Sequence, residues 1–230
     1  MISQYLNTLR GLAAISILLT HWDWGGLILA ASLFSITFWA NNGLHPGVIF
    51  FVVLSGFLIH THNAETSPNL FYKKRVLRIF PVYLFGIALG CCIPLFWSQP
   101  GFFMELTLSI LMAGALVPHG IPPGNQILDT IEVLFWAYMA YPVLLKLRRK
   151  SGWGIVLMGT ILLHLAAVAL VMRLDANSAW VRRSFYVVFL YWVIGVLAAD
   201  MYSKWQEVIK SRSVFLLLAS ITLRACPKLT

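Results

Sequence analysis

Long apolar runs separated by short polar segments dominate the chain. The runs are continuous, whereas the strands of a membrane β-barrel alternate polar and apolar residues over about ten positions. In lipid every backbone N–H and C=O must be paired internally, which favours helices. Because a span needs about 20 apolar residues, we predict an all-α, polytopic membrane bundle with about six to eight spans or re-entrant helices. The clearest runs are Gly47–Ile59, Ile79–Trp97, Ile131–Leu147, Trp153–Met172 and Phe185–Met201.

Two further runs do not have the length of one span. Leu9–Ala40 is long for a single crossing and short for two, and both readings stay open. The last run begins at Val214 and meets Arg224 and Pro227 after about ten residues, half the length of a crossing. We therefore expect residues 1–230 to form a single membrane domain that is incomplete at its C-terminus.

Two basic clusters, Lys73–Arg78 and Lys146–Lys150, predict the topology of the bundle. Short cytoplasmic loops are rich in Lys and Arg, so both clusters are placed in the cytoplasm. Ile79–Trp97 then runs outward and Ile131–Leu147 runs inward. No full crossing fits between them, so we expect Phe102–Val117 to be a re-entrant or interfacial helix on the outer side.

The composition agrees with a multi-pass integral membrane protein. Sixty per cent of the residues are hydrophobic and 11% are charged, whereas soluble domains are about 45–50% apolar and about 25% charged. The net charge is +9, but the basic residues lie in short clusters between apolar runs, which argues against nucleic-acid binding. The three cysteines have no CxxC spacing, so no metal site is expected.

Arg10 and His21 are the first candidates for chemistry. Eleven residues at about 100° each bring them within about 20° of one helix face, roughly 16 Å apart along the axis. A titratable group in mid-membrane is costly and by default suggests a function. A histidine there suits general-base catalysis. The alternative is a packing histidine that is hydrogen-bonded to a neighbouring helix, and the residues alone leave both open.

The basic segment supplies a second set of candidates, Arg75 and Arg78 together with Lys74. The two arginines are three residues apart and face the same way on a helix. Arginine binds phosphate oxygens bidentately. The alternative is an ordinary cytoplasmic anchor that contacts lipid head groups.

Glu132 is the third candidate, at the start of an inward-running span. A carboxylate is favoured at a helix N-terminus, so it can simply cap the helix. The functional hypothesis is an acid that orients a histidine or a sugar hydroxyl.

Several of these residues lie in segments that resemble a known family. Leu9–Ala14 followed by His21, then Phe50–Ile59, then Phe71–Tyr83, look like three successive signatures of the acyltransferase-3 family, the membrane-bound O-acyltransferases of bacterial surface polysaccharides. Farther along, Asp129–Glu132 and Tyr138–Pro142 look like the two ends of a later span, although the family's tryptophan is absent there. Family members have about ten spans, more than this chain holds.

The resemblance implies transfer of an acyl group, usually acetyl, from cytoplasmic acyl-CoA to a hydroxyl of a cell-surface glycan or lipid-linked sugar. Arg75, Arg78 and Lys74 are then expected to bind the CoA phosphates, His21 to act as the base with Arg10 assisting, and Glu132 to take part in catalysis. The expected location is a bacterial inner or plasma membrane. Two alternatives remain: a membrane transport or binding protein without acyl transfer, and a truncated, inactive relative.

Overall fold

The computed structural model describes residues 2–21, 46–93, 97, 101–117, 128–174 and 184–225. These residues form helices and turns and contain no strand, which confirms the predicted all-α class. Residues 22–45, and with them the question of one or two crossings within Leu9–Ala40, lie outside this part of the chain. The helices are α1 (Ile2–His21), α2 (Pro46–Asn63), α3 (Pro68–Cys91), α4 (Phe102–Ile110), α5 (Leu128–Leu174) and α6 (Phe185–Ala225).

Helix α5 is a hairpin whose turn is at Gly152. Gly152 has φ 76° and ψ 174°, a conformation that only glycine adopts readily. Residues 128–151 run parallel to α6 and residues 153–174 run antiparallel to it, so the chain reverses at this glycine. The contacts that establish these directions are Tyr138 with Trp192 and Arg148 with Asp200 for the first arm, and Trp153 with Asp200 and His164 with Val187 for the second. This reversal agrees with two separate spans at Ile131–Leu147 and Trp153–Met172.

Two helices in the described part of the chain are long and apolar enough to cross a membrane. They cover Leu128–Leu170, which includes both arms of the hairpin, and Phe185–Gln206; a shorter apolar helix covers Gly47–Asn63. Helix α4 has nine residues, a length of about 14 Å that cannot cross a core of about 30 Å. It has the size expected of a re-entrant or interfacial helix. The total of six to eight spans stays a prediction.

Helix α6 continues farther than the sequence pattern suggested. The pattern predicted one span at Phe185–Met201 and the start of another at Val214, whereas the backbone is helical without a break from Phe185 to Ala225. The polar stretch between the two runs contains neither glycine nor proline. Nothing in it interrupts the backbone hydrogen bonds, so the helix continues through it.

Helices α2 and α6 cross with their backbones in contact. A Cβ added at Gly56 would collide with the carbonyl oxygen of Trp192, and one added at Gly195 would collide with that of Val53. Small residues at such crossings let membrane helices approach closely. Around this crossing lies the main core, whose largest buried side chains include Trp192, Tyr141 and Phe71.

The helix directions bring many basic residues to one end of the bundle. His60 near the end of α2 contacts Asp200 of α6, and Phe71 near the start of α3 packs on Tyr141 of α5. The end of α2, the start of α3, the turn at Gly152 and Asp200 therefore lie together, and we call this the basic end. Basic residues in or near it are Lys73, Lys74, Arg75, Arg78, Lys146, Arg148, Arg149, Lys150 and Lys204.

Candidate functional site

A cavity of about 690 Å³ lies between α1, α2 and α3. We call it the basic cavity because, among the described residues, its lining holds four permanent cations and no carboxylate. The lining residues are Arg10, Gly11 and Ala14 of α1, Phe51, Leu58, Ile59, His62 and Asn63 of α2, and Lys74, Arg75 and Arg78 of α3. The fold thus brings Arg10 to the same site as the basic segment, although they are 64 residues or more apart along the chain.

Arg75 is held in the wall of this cavity by two aromatic rings. Its guanidinium carbon lies 5.4 Å from the centre of the Phe71 ring and 5.7 Å from that of Tyr138. Its Nε atom is buried and has no hydrogen-bond partner among the described residues. Burial lowers the pKa of Arg75, and the nearby charges of Arg78 and Arg10 lower it further. The rings fix the orientation of the guanidinium and leave hydrogen-bonding capacity for an anion.

The Arg10 side chain reaches into the bundle, away from the basic end. Its guanidinium carbon is 4.8 Å from the centre of the Phe51 ring, and Phe51 is about 18 Å along α2 from Asn63 at the basic end. The basic cavity therefore extends from that end into the bundle. His21 is the last residue of α1, and its side chain lies outside the described part of the structure, so its predicted role stays a prediction.

The cavity cations differ from Arg148 and Lys204 of the basic end, which are paired with Asp200. The Asp200 carboxylate accepts a hydrogen bond from Arg148 and one from Trp153 Nε1 at 2.8 Å, and lies 3.3 Å from Lys204 Nζ. In the described residues, Arg10, Lys74, Arg75 and Arg78 form no ion pair with a carboxylate. Their charge remains available to a ligand.

His60 joins this Asp200 network to the wall of the cavity. Its Nε2 is 3.5 Å from Asp200 Oδ1, and its Nδ1 is 3.0 Å from the hydroxyl of Tyr141. Tyr141 in turn packs on Phe71, the ring beneath Arg75. The sequence did not single out Asp200 or pair it with His60. The available signal was a carboxylate in the last turn of the predicted span Phe185–Met201, where an unpaired charge is costly.

Glu132 belongs to a different cluster. Its carboxylate is fully buried and accepts hydrogen bonds from the hydroxyl of Tyr83, from the N–H of Ala115 at 2.8 Å, and from the N–H of Gly114. It does not line the basic cavity, so the structure does not bring it together with Arg10, Arg75 and Arg78. Its predicted part in catalysis stays a prediction.

The remaining histidines of the described chain have partners of their own. His62 Nδ1 is 2.8 Å from the Leu58 carbonyl and His164 Nδ1 is 3.2 Å from that of Val187. Within the described ranges, no group of three or more His, Cys, Asp or Glu side chains is arranged to hold a metal ion.

The comparisons with known proteins identify the family. The family model of the acyltransferase-3 group, described as an acyltransferase domain, matches residues 3–225. The protein therefore belongs to this acyltransferase family, as the N-terminal signatures indicated. Nodulation protein 10 of Rhizobium leguminosarum bv. viciae is 27% identical over 199 residues, 76% of this chain and 49% of that protein. The chain thus spans about half the length of this relative. No solved structure matches it.

Proposed function

We propose that the protein is a multi-pass membrane O-acyltransferase that moves an acyl group, acetyl in the simplest case, from acyl-CoA to a hydroxyl of a cell-surface glycan or lipid-linked sugar. The family supplies the reaction class. The apolar helices are of a kind that suits the plasma membrane of a bacterium. The observation that carries the choice of donor is the basic cavity, with its four cations unpaired in the described chain.

The cavity suits coenzyme A in charge and in shape. Coenzyme A carries a diphosphate and a 3′-phosphate at one end and a thioester on a long arm at the other. Arg75, Arg78 and Lys74 lie near the basic end, where the phosphates bind. Arg10 lies deeper, beside Phe51. In the proposal, the pantetheine arm extends from there along α1 toward His21.

His21 acts as the general base in this proposal. It accepts the proton of the acceptor hydroxyl as the oxygen attacks the thioester carbonyl. The new C–O bond forms, the C–S bond breaks, and CoA thiolate leaves and takes a proton. No acyl-enzyme is needed, so the acyl group passes directly from donor to acceptor.

The positive-inside rule orients the bundle with the basic end in the cytoplasm, where acyl-CoA is found. The acceptor then arrives from the opposite end. A transport or binding protein without acyl transfer, or an inactive relative, would use the same helices without this chemistry, and binding of acyl-CoA followed by turnover separates the three.

Donor binding is tested with acyl-CoA and the purified full chain in lipid nanodiscs. Arg75→Ala and Arg78→Ala should each weaken binding about tenfold or more, which corresponds to about 1.4 kcal/mol. Arg→Lys at either position should recover only part of the affinity, because lysine keeps the charge and loses the bidentate fork.

The matched control is Lys150→Ala, which removes an exposed charge at the same end outside the basic cavity. Its affinity should stay within about twofold of the wild type, since an exposed and screened charge contributes little. Equal losses in all three alanine variants, or full recovery with lysine, would mean that the arginines are generic anchors.

A further inference from the structure

Segment 109–117 starts at the last two residues of α4 and continues beyond it with an irregular backbone. Side chains from other helices form hydrogen bonds with this backbone. Met112 is a non-glycine residue in the left-handed region, with φ 54°. Its carbonyl accepts a hydrogen bond from Trp136 Nε1 at 2.6 Å, and the carbonyl of Ser109 lies 2.8 Å from the hydroxyl of Tyr83. Irregular backbone at membrane depth is stable only where protein or a water-filled cavity provides such partners.

Glu132 is the acidic residue among the side chains that form hydrogen bonds with segment 109–117. One carboxylate oxygen accepts the N–H of Ala115, and the other accepts the Tyr83 hydroxyl. The carbonyl of Ala115 accepts the N–H of Phe185 at 3.0 Å. Glu132 therefore links the segment to α3 and α5 at a residue that also contacts the start of α6.

We propose that Glu132 is a positioning residue that fixes segment 109–117 and takes no part in proton transfer. Its carboxylate accepts the Tyr83 hydroxyl and two backbone N–H groups of the segment, and its side chain has no exposed surface. Segment 109–117 contacts α3 at Tyr83, about 12 Å farther from the basic end than Arg75. Within the proposed function, this is the side from which the acceptor arrives.

A glutamine at position 132 can satisfy Tyr83 and Ala115, two of the three partners of the carboxylate. Its carbonyl oxygen accepts the N–H of Ala115, and its amide donates to the oxygen of Tyr83. The Tyr83 hydroxyl is then free to donate to the Ser109 carbonyl, which already lies within reach. Leucine has similar bulk and can accept no hydrogen bond, so it leaves the buried N–H of Ala115 without a partner.

The test uses Ser109→Cys as a reporter in a full chain whose native cysteines are replaced by alanine. Ser109 is fully buried and its Oγ has no hydrogen-bond partner in the described chain, so replacement by cysteine removes no hydrogen bond. N-ethylmaleimide should leave this reporter thiol unlabelled with Glu132 or with Glu132→Gln, and should label it at least tenfold faster with Glu132→Leu. Val52→Cys, buried in α2 away from the segment, supplies a control thiol that should stay protected throughout.

Transfer and donor affinity are measured on the same variants. Glu132→Gln should keep transfer within about threefold of the wild type, and Glu132→Leu should lower it at least tenfold with unchanged acyl-CoA affinity. A loss of 100-fold or more in Glu132→Gln with the reporter thiol still protected would overturn the proposal, because removing a general acid or base typically costs about 10²–10⁴-fold. Protection of the reporter thiol in Glu132→Leu, or labelling of the control thiol along with it, would also overturn it. The labelling experiment does not depend on acyl transfer. If the proposed function is wrong, the wild-type protein transfers no acyl group, and this outcome is distinguishable from the labelling result.

Discussion

Among the residues proposed to bind the donor, Arg75 has the most structural support, because two aromatic rings hold its guanidinium without forming hydrogen bonds to it. Phe71 and Tyr138 contact the guanidinium through their faces. Tyr138 is itself fixed by a 2.6 Å hydrogen bond between its hydroxyl and Ser55 Oγ. A side chain held in this way loses less conformational entropy when it binds an anion than a free surface arginine does.

His21 is the residue whose replacement separates catalysis from helix packing. His21→Ala and His21→Gln should both lower transfer by about 10²–10⁴-fold, because neither side chain can accept and release a proton. Acyl-CoA affinity and protein levels should stay close to those of the wild type. The measurements are expression, acyl-CoA binding and transfer on the three proteins side by side.

If His21 only packs between helices, we expect the opposite result for the two variants. Glutamine, which keeps the size and some hydrogen bonding, would then retain near wild-type turnover, and alanine would lower the amount of folded protein. That pattern would remove the catalytic assignment of His21.

The sequence predicted those site residues whose signal is local. Arg75 and Arg78 share a helix face because they are three residues apart, and this spacing can be counted. Asp200 and His60 are 140 residues apart, and their pairing follows from the packing of α2 on α6. Glu132 was predicted as a candidate, whereas its partners Tyr83 and Ala115 come from other segments and could not be read from spacing.

At the scale of the helices, the crossing of α2 and α6 leaves the least space for an added Cβ among the described glycines. Each glycine of the crossing faces the backbone of the other helix, so neither helix has a flexible side chain that could move aside. Gly56 and Gly195 therefore determine how closely the two helices approach.

Gly56→Ala and Gly195→Ala should each destabilise the protein by about 1–3 kcal/mol, because the added methyl group meets a backbone carbonyl. Thermal unfolding in detergent is the measurement. Gly159→Ala is the matched control: no atom lies within 4 Å of a Cβ built at this helical glycine, so stability should be unchanged or slightly higher. Equal stability of all three variants would mean that the crossing is looser than described.

The end of a helix could be predicted from the sequence where a polar segment also contains a glycine. Lys146–Lys150 together with Gly152 separates two apolar runs, and the chain reverses there. Residues 202–213 are also polar, yet α6 passes through them unbroken. The physical difference is the glycine, which permits the reversal at residue 152 and has no counterpart in the later stretch.

At the scale of the whole molecule, the two basic clusters, Lys73–Arg78 and Lys146–Lys150, lead to a testable prediction about topology. Phe71, near the start of the basic segment, packs on Tyr141 in the helix that ends in Lys146–Lys150. Both clusters therefore lie at the same end of the bundle, which predicts that they face the same side of the membrane.

Reporter fusions after Lys74 and after Arg149 should both be cytoplasmic, and a fusion near Pro122 should be external. A paired enzyme reporter, active on one side of the membrane only, makes the measurement. Opposite locations for Lys74 and Arg149 would contradict the orientation and the interpretation of Phe102–Val117 as a segment that does not cross.

The backbone contact between α2 and α6 limits how the basic cavity can change its width. Helix α2 forms one wall and cannot slide along α6 without separating from it. Helix α3, a second wall, is tied to α5 by the hydrogen bond from the Tyr72 hydroxyl to the Met139 carbonyl. Helix α1, the third wall, packs chiefly on α2. Arg10 and His21 are both on α1. In the proposed mechanism, any movement of α1 relative to α2 would therefore displace the donor-binding arginine and the proposed base together, which couples the width of the cavity to the assembly of the reaction centre.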